Sequence, residues 1–244
     1  MRWHFIFETL AYTIAFRVYL AQRKQQGDFL DTTTRWSIVA AAFVGAVVGS
    51  KLLNLFENPA ETARHMAAHD FAYLLGGKTV VGALAGGTFA VELTKLRIGI
   101  HRRTGDLFAI PLCVGIAVGR IGCFLAGIAD DTYGLPSNLP WAVDLGDGIR
   151  RHPVQLYEIA AMLALAFALA RIFPPKFAEG DRFRIFMLSY FAWRLLIDTL
   201  KPGVHFAGLT TLQWTCVAGL IFYSPDLIRM IASPKLKEAP ESHG

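Results

Sequence analysis

Tyr190, Arg194 and Asp198 follow one another at i, i+4 and i+8, a spacing that stacks a phenol, a guanidinium and a carboxylate along one helical face. All three lie in an apolar stretch, where an isolated charge costs at least ~2.5–3.5 kcal/mol and therefore needs a partner or a cavity. Arg120 closes a second apolar run, LFAIPLCVGIAV, and is surrounded by Gly115, Gly119 and Gly122. Small neighbours let another helix or a lipid approach closely, and a guanidinium there offers a planar fork suited to phosphate. Gln155 and Glu158 share a face just after Pro153, and the imidazole of His152, a residue type suited to moving protons, precedes them. Lys78 sits in the glycine-rich stretch GGKTVVGALAGG, and Lys51 follows the small-residue seam GAVVGSK. Cations, carboxylates and glycines in this pattern describe a chamber for an anionic ligand within a bilayer, most simply a phospholipid head group.

Each residue also has a plainer reading. Arg194 and Asp198 can simply pair, Arg120 can snorkel to the interface, and Glu158 can complement a helix dipole. A loop histidine can be incidental, and the glycines can be a packing seam. Several helices each supplying one costly residue favour the shared chamber.

The elements that must position these residues follow from composition. The chain is 54% apolar and 18% charged over 244 residues, with mean hydropathy +0.40. Apolar stretches cover 4–22, 36–56, 71–94, 107–128, 153–173, 183–200 and 206–228, most of them long enough for a helix to cross the hydrocarbon core. The expected fold is an all-α integral membrane protein with seven transmembrane helices in one domain, 1–230, followed by a disordered cytoplasmic tail, 231–244. Loops 22–35, 95–106, 171–184 and 228–244 hold 14 Lys and Arg, whereas the alternate set holds 5. Excess positive charge stays cytoplasmic, so the N-terminus is expected outside and the C-terminus inside. The first stretch contains Glu8 and Arg17 and has no small-residue cleavage site, so it reads as a retained helix.

A formal charge of +5 is dispersed among hydrophobic segments, which topology explains better than nucleic-acid binding. Cys113, Cys123 and Cys216 have no metal-ligand spacing and read as buried free thiols. There is no nucleotide loop, HExxH or GxSxG, so neither a cofactor nor a metal is expected.

With those residues in place, the chain resembles the bacterial prolipoprotein diacylglyceryl transferase family. The family signature, GRxGNF followed by RHPxQLYE, is matched in order by GRIGCF (119–124), LPW (139–141) and RHPVQLYE (151–158). FRVYL (16–20), GSKLL (49–53), GGKTVVGALAGG (76–87), YFAWRLLID (190–198) and LQW (212–214) extend it over nearly the whole chain. The resemblance implies a multi-pass inner-membrane enzyme with seven spans in the same orientation. It takes phosphatidylglycerol and transfers the diacylglyceryl group to a prolipoprotein cysteine, releasing glycerol phosphate. It also implies that Arg120 and Arg194 contact the phosphate, while Gln155, Tyr157 and Glu158 shape the site. Tyr190, Asp198, Lys51 and Lys78 are expected to assist in substrate binding.

The chain departs from the family pattern in several places. Val81 stands where the third-helix motif has a histidine, Cys123 replaces the asparagine of GRxGN, and Ala126-Gly127-Ile128 replaces NGE. Lys51 replaces an arginine, which loses bidentate geometry. The outer loop is rewritten around Asp130, Asp131, Asp144 and Asp147. The expectation is a divergent member in which His152 or a loop aspartate serves as base. A non-catalytic lipid-binding or lipid-moving protein and a small-solute transporter are the rival readings.

Overall fold

A computed structural model describes residues 2–171 and 178–232. The protein is all-α, with 74% of its residues helical. Seven longer helices lie over the seven apolar stretches: α1 Arg2–Gln26, α2 Thr32–Glu57, α5 Val80–Ile98, α6 Asp106–Ala126, α7 Val154–Arg171, α8 Asp181–Asp198 and α9 Thr211–Ala232. Between α2 and α5 come the short helices α3, Pro59–Ala67, and α4, Phe71–Gly76. Among the described residues, four segments are long and apolar enough to cross a bilayer, namely α2, α6 with its 3-10 extension to Asp130, α7 and α9. Large apolar side chains such as Phe43, Phe167 and Phe222 stand exposed on these helices, as lipid-facing surfaces require. From residue 233 onward the expected tail lies outside the described residues, and 231–232 continue α9.

The expected 71–94 helix is broken in two. Gly77 is extended at ψ 154°, and the Thr79 side chain accepts from Gly82 N at 3.1 Å, restarting the helix as a proper N-cap. Thr79 N donates to Ser50 Oγ at 2.9 Å, so the break is fastened to α2.

The chain forms two compact units. One holds the described parts of Met1–Gly27, Arg103–Pro202 and Ile221–Gly244, and the other holds Asp28–Arg102 and Gly203–Leu220. In the second unit α2 packs along α5 through glycines. A Cβ on Gly49 would lie 2.8 Å from Gly86 Cα, and one on Gly86 would lie 2.8 Å from Gly49 Cα. Only glycine permits that approach. Arg35, 1% exposed, donates to Asp28 Oδ2 at 2.7 Å. A two-stranded ribbon, β3 His205–Phe206 with β4 Leu209–Thr210, precedes α9.

In the first unit α6 is the central helix, packed by α1, α7 and α8. Asp106, at its start, accepts from Gly180 N at 2.7 Å and Phe183 N at 3.1 Å, which supplies the side-chain cap that Gly180 cannot give the N-terminus of α8. At the same end Arg184 joins Asp181 at 2.9 Å and Asp226 at 3.0 Å, and Arg229 also reaches Asp181. The first of these ties joins α8 to α6, and the ion pairs join it to α9. The residues between α6 and α7 form a second ribbon, β1 Val143–Asp144 with β2 Arg150–Arg151.

Candidate active site

Three helices of the first unit each supply one charge to a common centre. Arg120 comes from the last two turns of α6, Glu158 from the first turns of α7, and Arg194 from the last turns of α8. Arg120 Nε lies 2.7 Å from Glu158 Oε2, and its Nη2 donates to Oε1 at 3.4 Å. Arg194 Nη1 lies 3.2 Å from the same Oε2. Tyr190 donates its hydroxyl to Glu158 Oε1 at 3.2 Å. Asp198 pairs with Arg194 Nη2 at 3.3 Å, completing the stripe read from the i, i+4, i+8 spacing.

The plainer readings of the two arginines are set aside by this geometry. Arg194 does pair with Asp198, and it reaches Glu158 as well. Arg120 is 9% exposed and is held by Glu158. Buried charges of both signs satisfy one another, as a low-dielectric interior requires. On the helices that carry this centre, Arg194 Nε and both the Oε1 and Nε2 of Gln155, whose side chain is 1% exposed, are among the buried polar atoms that have no hydrogen-bond partner among the described residues. Buried amides without partners are rare in folded proteins and mark places where a ligand or ordered water belongs.

The other expected residues fall in different places. Tyr157 accepts a hydrogen bond from Trp141 Nε1 at 2.6 Å, which ties α7 to the LPW segment between α6 and α7. His152 is half-buried, with its ring edge-on to Tyr157 at 6.3 Å and its Nδ1 without a hydrogen-bond partner among the described residues. Lys51 and Lys78 belong to the second unit. Lys51 Nζ donates to the carbonyls of Gly76 and Gly77, both at 2.9 Å, at the end of α4, while Lys78 stands exposed just beyond it.

Two of the loop aspartates have structural work. Asp144 Oδ1 accepts from the backbone of Gly146, Asp147 and Gly148 at 2.8, 3.1 and 3.0 Å, closing the turn between β1 and β2. Asp147 pairs with Arg151 Nη2 at 2.6 Å, and that guanidinium holds its carboxyl below the usual carboxylate range. A lowered pKa makes it a weaker base.

Lys201 did not emerge from the sequence pattern, although it extends the 190, 194, 198 stripe by three residues. Burial, then the nearby Arg194 and Arg120, push its pKa down to about 7. The cluster around Cys123 was missed as well. Arg120 Nη1 lies 3.7 Å from Cys123 Sγ, and His4 and Asp130 approach the same thiol from α1 and from the end of α6. His4 lies far from Cys123 and Asp130 in sequence, so no spacing announces the cluster.

A family profile described as prolipoprotein diacylglyceryl transferase matches residues 1–225. A phosphatidylglycerol–prolipoprotein diacylglyceryl transferase of Bordetella bronchiseptica is 32% identical over 228 residues, covering 85% of this chain and 84% of that protein. The protein of the same name from Methylibium petroleiphilum is 31% identical, with 85% of each chain covered. That of Trichormus variabilis is 28% identical over 85% of this chain and 77% of its own. With the match running through the helices that carry Arg120, Glu158 and Arg194, the chain belongs to the prolipoprotein diacylglyceryl transferase family.

Proposed function

We propose that this chain is a phosphatidylglycerol–prolipoprotein diacylglyceryl transferase, using the substrates named for its relatives. One observation carries the reading: guanidinium groups from α6 and α8 converge on a single carboxylate, beside a buried amide and a guanidinium N–H that have no partner. A lipid phosphate brings the oxygen acceptors those donors lack. Glu158 holds the two forks apart and oriented until the phosphate arrives, and Tyr190 keeps Glu158 in place. In the reaction the acceptor thiolate attacks the diacylglyceryl carbon, an S–C bond forms, and the C–O bond to phosphate breaks. The electron pair leaves on the phosphate oxygen, where the two arginines stabilise a charge that exists only as the bond breaks. Gln155 orients the head group through its amide, and Asp198 sets the plane of Arg194. His152 and Tyr157 lie at the outer loop, on the side where an acceptor peptide approaches. The first unit alone is sufficient for this reading, so Lys51 and Lys78 are not required to touch the phosphate.

The same proposal includes a single transmembrane domain over 1–230 with seven spans, N-terminus outside and C-terminus inside, in the bacterial inner membrane. The asymmetry of Lys and Arg between alternate loops supports it.

The test is direct. Purified protein in proteoliposomes is given phosphatidylglycerol labelled in its acyl chains, together with a lipobox peptide. Thioether-linked diacylglyceryl peptide and free glycerol phosphate are expected in equal amounts. Saturable lipid binding with neither product would overturn the enzymatic reading in favour of a lipid-binding protein.

A further inference from the structure

Within the first unit, one group of metal-ligating side chains lies outside the arginine–glutamate centre and is unexplained by it. His4 on α1, Cys123 near the end of α6 and Asp130 in the 3-10 extension present one nitrogen, one sulfur and one oxygen, all within 4.8 Å of one another. His4 Nδ1 lies 2.8 Å from Asp130 Oδ1, yet this nitrogen is buried without a hydrogen-bond partner among the described residues, so the approach is close but misaligned. The Cys123 thiol is free and 7% exposed. Asp130 is equally enclosed, with its side chain 7% exposed, whereas the His4 side chain is 41% exposed and leaves one flank open.

We infer that His4, Cys123 and Asp130 form a zinc site whose fourth, open position takes the acceptor cysteine thiol. Three protein ligands of mixed N, S and O type with one open position are the arrangement of catalytic rather than structural zinc. Bonds of about 2.0–2.3 Å in a tetrahedron place ligand atoms about 3.3–3.8 Å apart, so the longest separation closes by about an ångström on binding. Thiolate and carboxylate together neutralise the dication, which suits an enclosed site. Arg120 Nη1, 3.7 Å from Cys123 Sγ, ties this site directly to the centre proposed for the phosphate.

The inference rests on the transferase reading and supplies its missing element. Glu158 is held by two guanidiniums and cannot serve as a free base. On zinc an incoming thiol is deprotonated outright, and its proton leaves to water. The zinc-bound thiolate then attacks the diacylglyceryl carbon, and glycerol phosphate departs with the C–O electron pair. A neutral thiol and a lipid monoanion thus give a neutral thioether, a phosphate dianion and one proton. Departure of the thioether from zinc reopens the position.

Full-length protein in detergent is exposed to Zn2+ and then desalted, and its metal is counted by elemental analysis. In parallel, Co2+ is tested for a thiolate-to-cobalt charge-transfer band. About one metal per chain and a cobalt–thiolate band are expected. Cys123→Ser and Asp130→Asn should lower retained metal on the order of 10–100-fold, whereas Cys113→Ala, at a thiol away from the cluster, should retain it. Chelation should lower peptide transfer to a similar extent, with recovery on adding Zn2+. Failure of the native protein to hold more metal than Cys123→Ser overturns the site, whether or not transfer proceeds. Metal bound at the site with transfer indifferent to chelation overturns thiol activation. Stoichiometric metal with no transfer under any condition upholds the site and overturns the transferase reading instead.

Discussion

At Glu158 one carboxylate answers two guanidiniums and a phenol, so under the proposed function binding of a lipid phosphate is an exchange of anions rather than the filling of an empty pocket. Removing the carboxylate leaves two buried cations facing each other. Glu158→Ala should destabilise the protein by about 3–5 kcal/mol, read as a fall in unfolding temperature in detergent, and added phosphatidylglycerol should restore part of it. Arg194→Lys keeps the charge and loses the fork. Transfer should drop by about 10²–10³-fold in kcat with folding retained, and a kcat near that of the native enzyme would remove Arg194 from the phosphate. Lys201 gives a pH signature. Its pKa falls from the ordinary 10.5 to about 7 on folding. Between these values the unfolded chain binds more protons, so stability rises with pH from about 7 toward 10. Lys201→Met should flatten that rise, and an unchanged slope would show that the amine is not desolvated. The sequence disclosed Arg120, Arg194 and Asp198 because charge in an apolar run is costly wherever it stands. It did not disclose His4, whose place beside Cys123 and Asp130 depends only on where the chain brings it.

At the scale of elements, the i, i+4, i+8 stripe on α8 is legible because helical geometry translates spacing into a face without further knowledge. The break between α4 and α5 is less so. Five glycines in GGKTVVGALAGG announce an irregular or tightly packed backbone, but not that Thr79 would cap the restart or that Ser50 and Lys51 would receive it. Those partners lie 25 or more residues away in sequence, and local propensity does not encode them. The seam between α2 and α5 leads to a sharp contrast. A Cβ at Gly86 meets the backbone of Gly45 and Gly49, whereas one at Gly76 meets nothing within 4 Å. Gly86→Val should therefore abolish accumulation of folded protein, read as monodisperse yield after detergent extraction, while Gly76→Ala leaves the yield unchanged. Equal yields would mean that the helices separate easily.

For the whole molecule, composition and charge asymmetry speak about the membrane, and family membership now rests on a match over residues 1–225. The helical class and four long apolar segments follow from hydropathy. Helices α1, α5 and α8 carry more polar residues, and hydropathy alone does not assign them to the bilayer. The proposed orientation makes a clear prediction. A reporter active only in the periplasm should work when inserted in 137–149 and fail when fused after Ala232, with a cytoplasmic reporter giving the opposite result. Activity of both fusions in the same compartment would overturn the seven-span count. The glycine seam has a consequence for life in a real bilayer. Two backbones in direct touch have no rotamers to readjust, so in the proposed seven-span arrangement thinner or thicker membranes act on α2 and α5 as on one rigid rod, which tilts without shearing and shuts acyl tails out of the crevice between them.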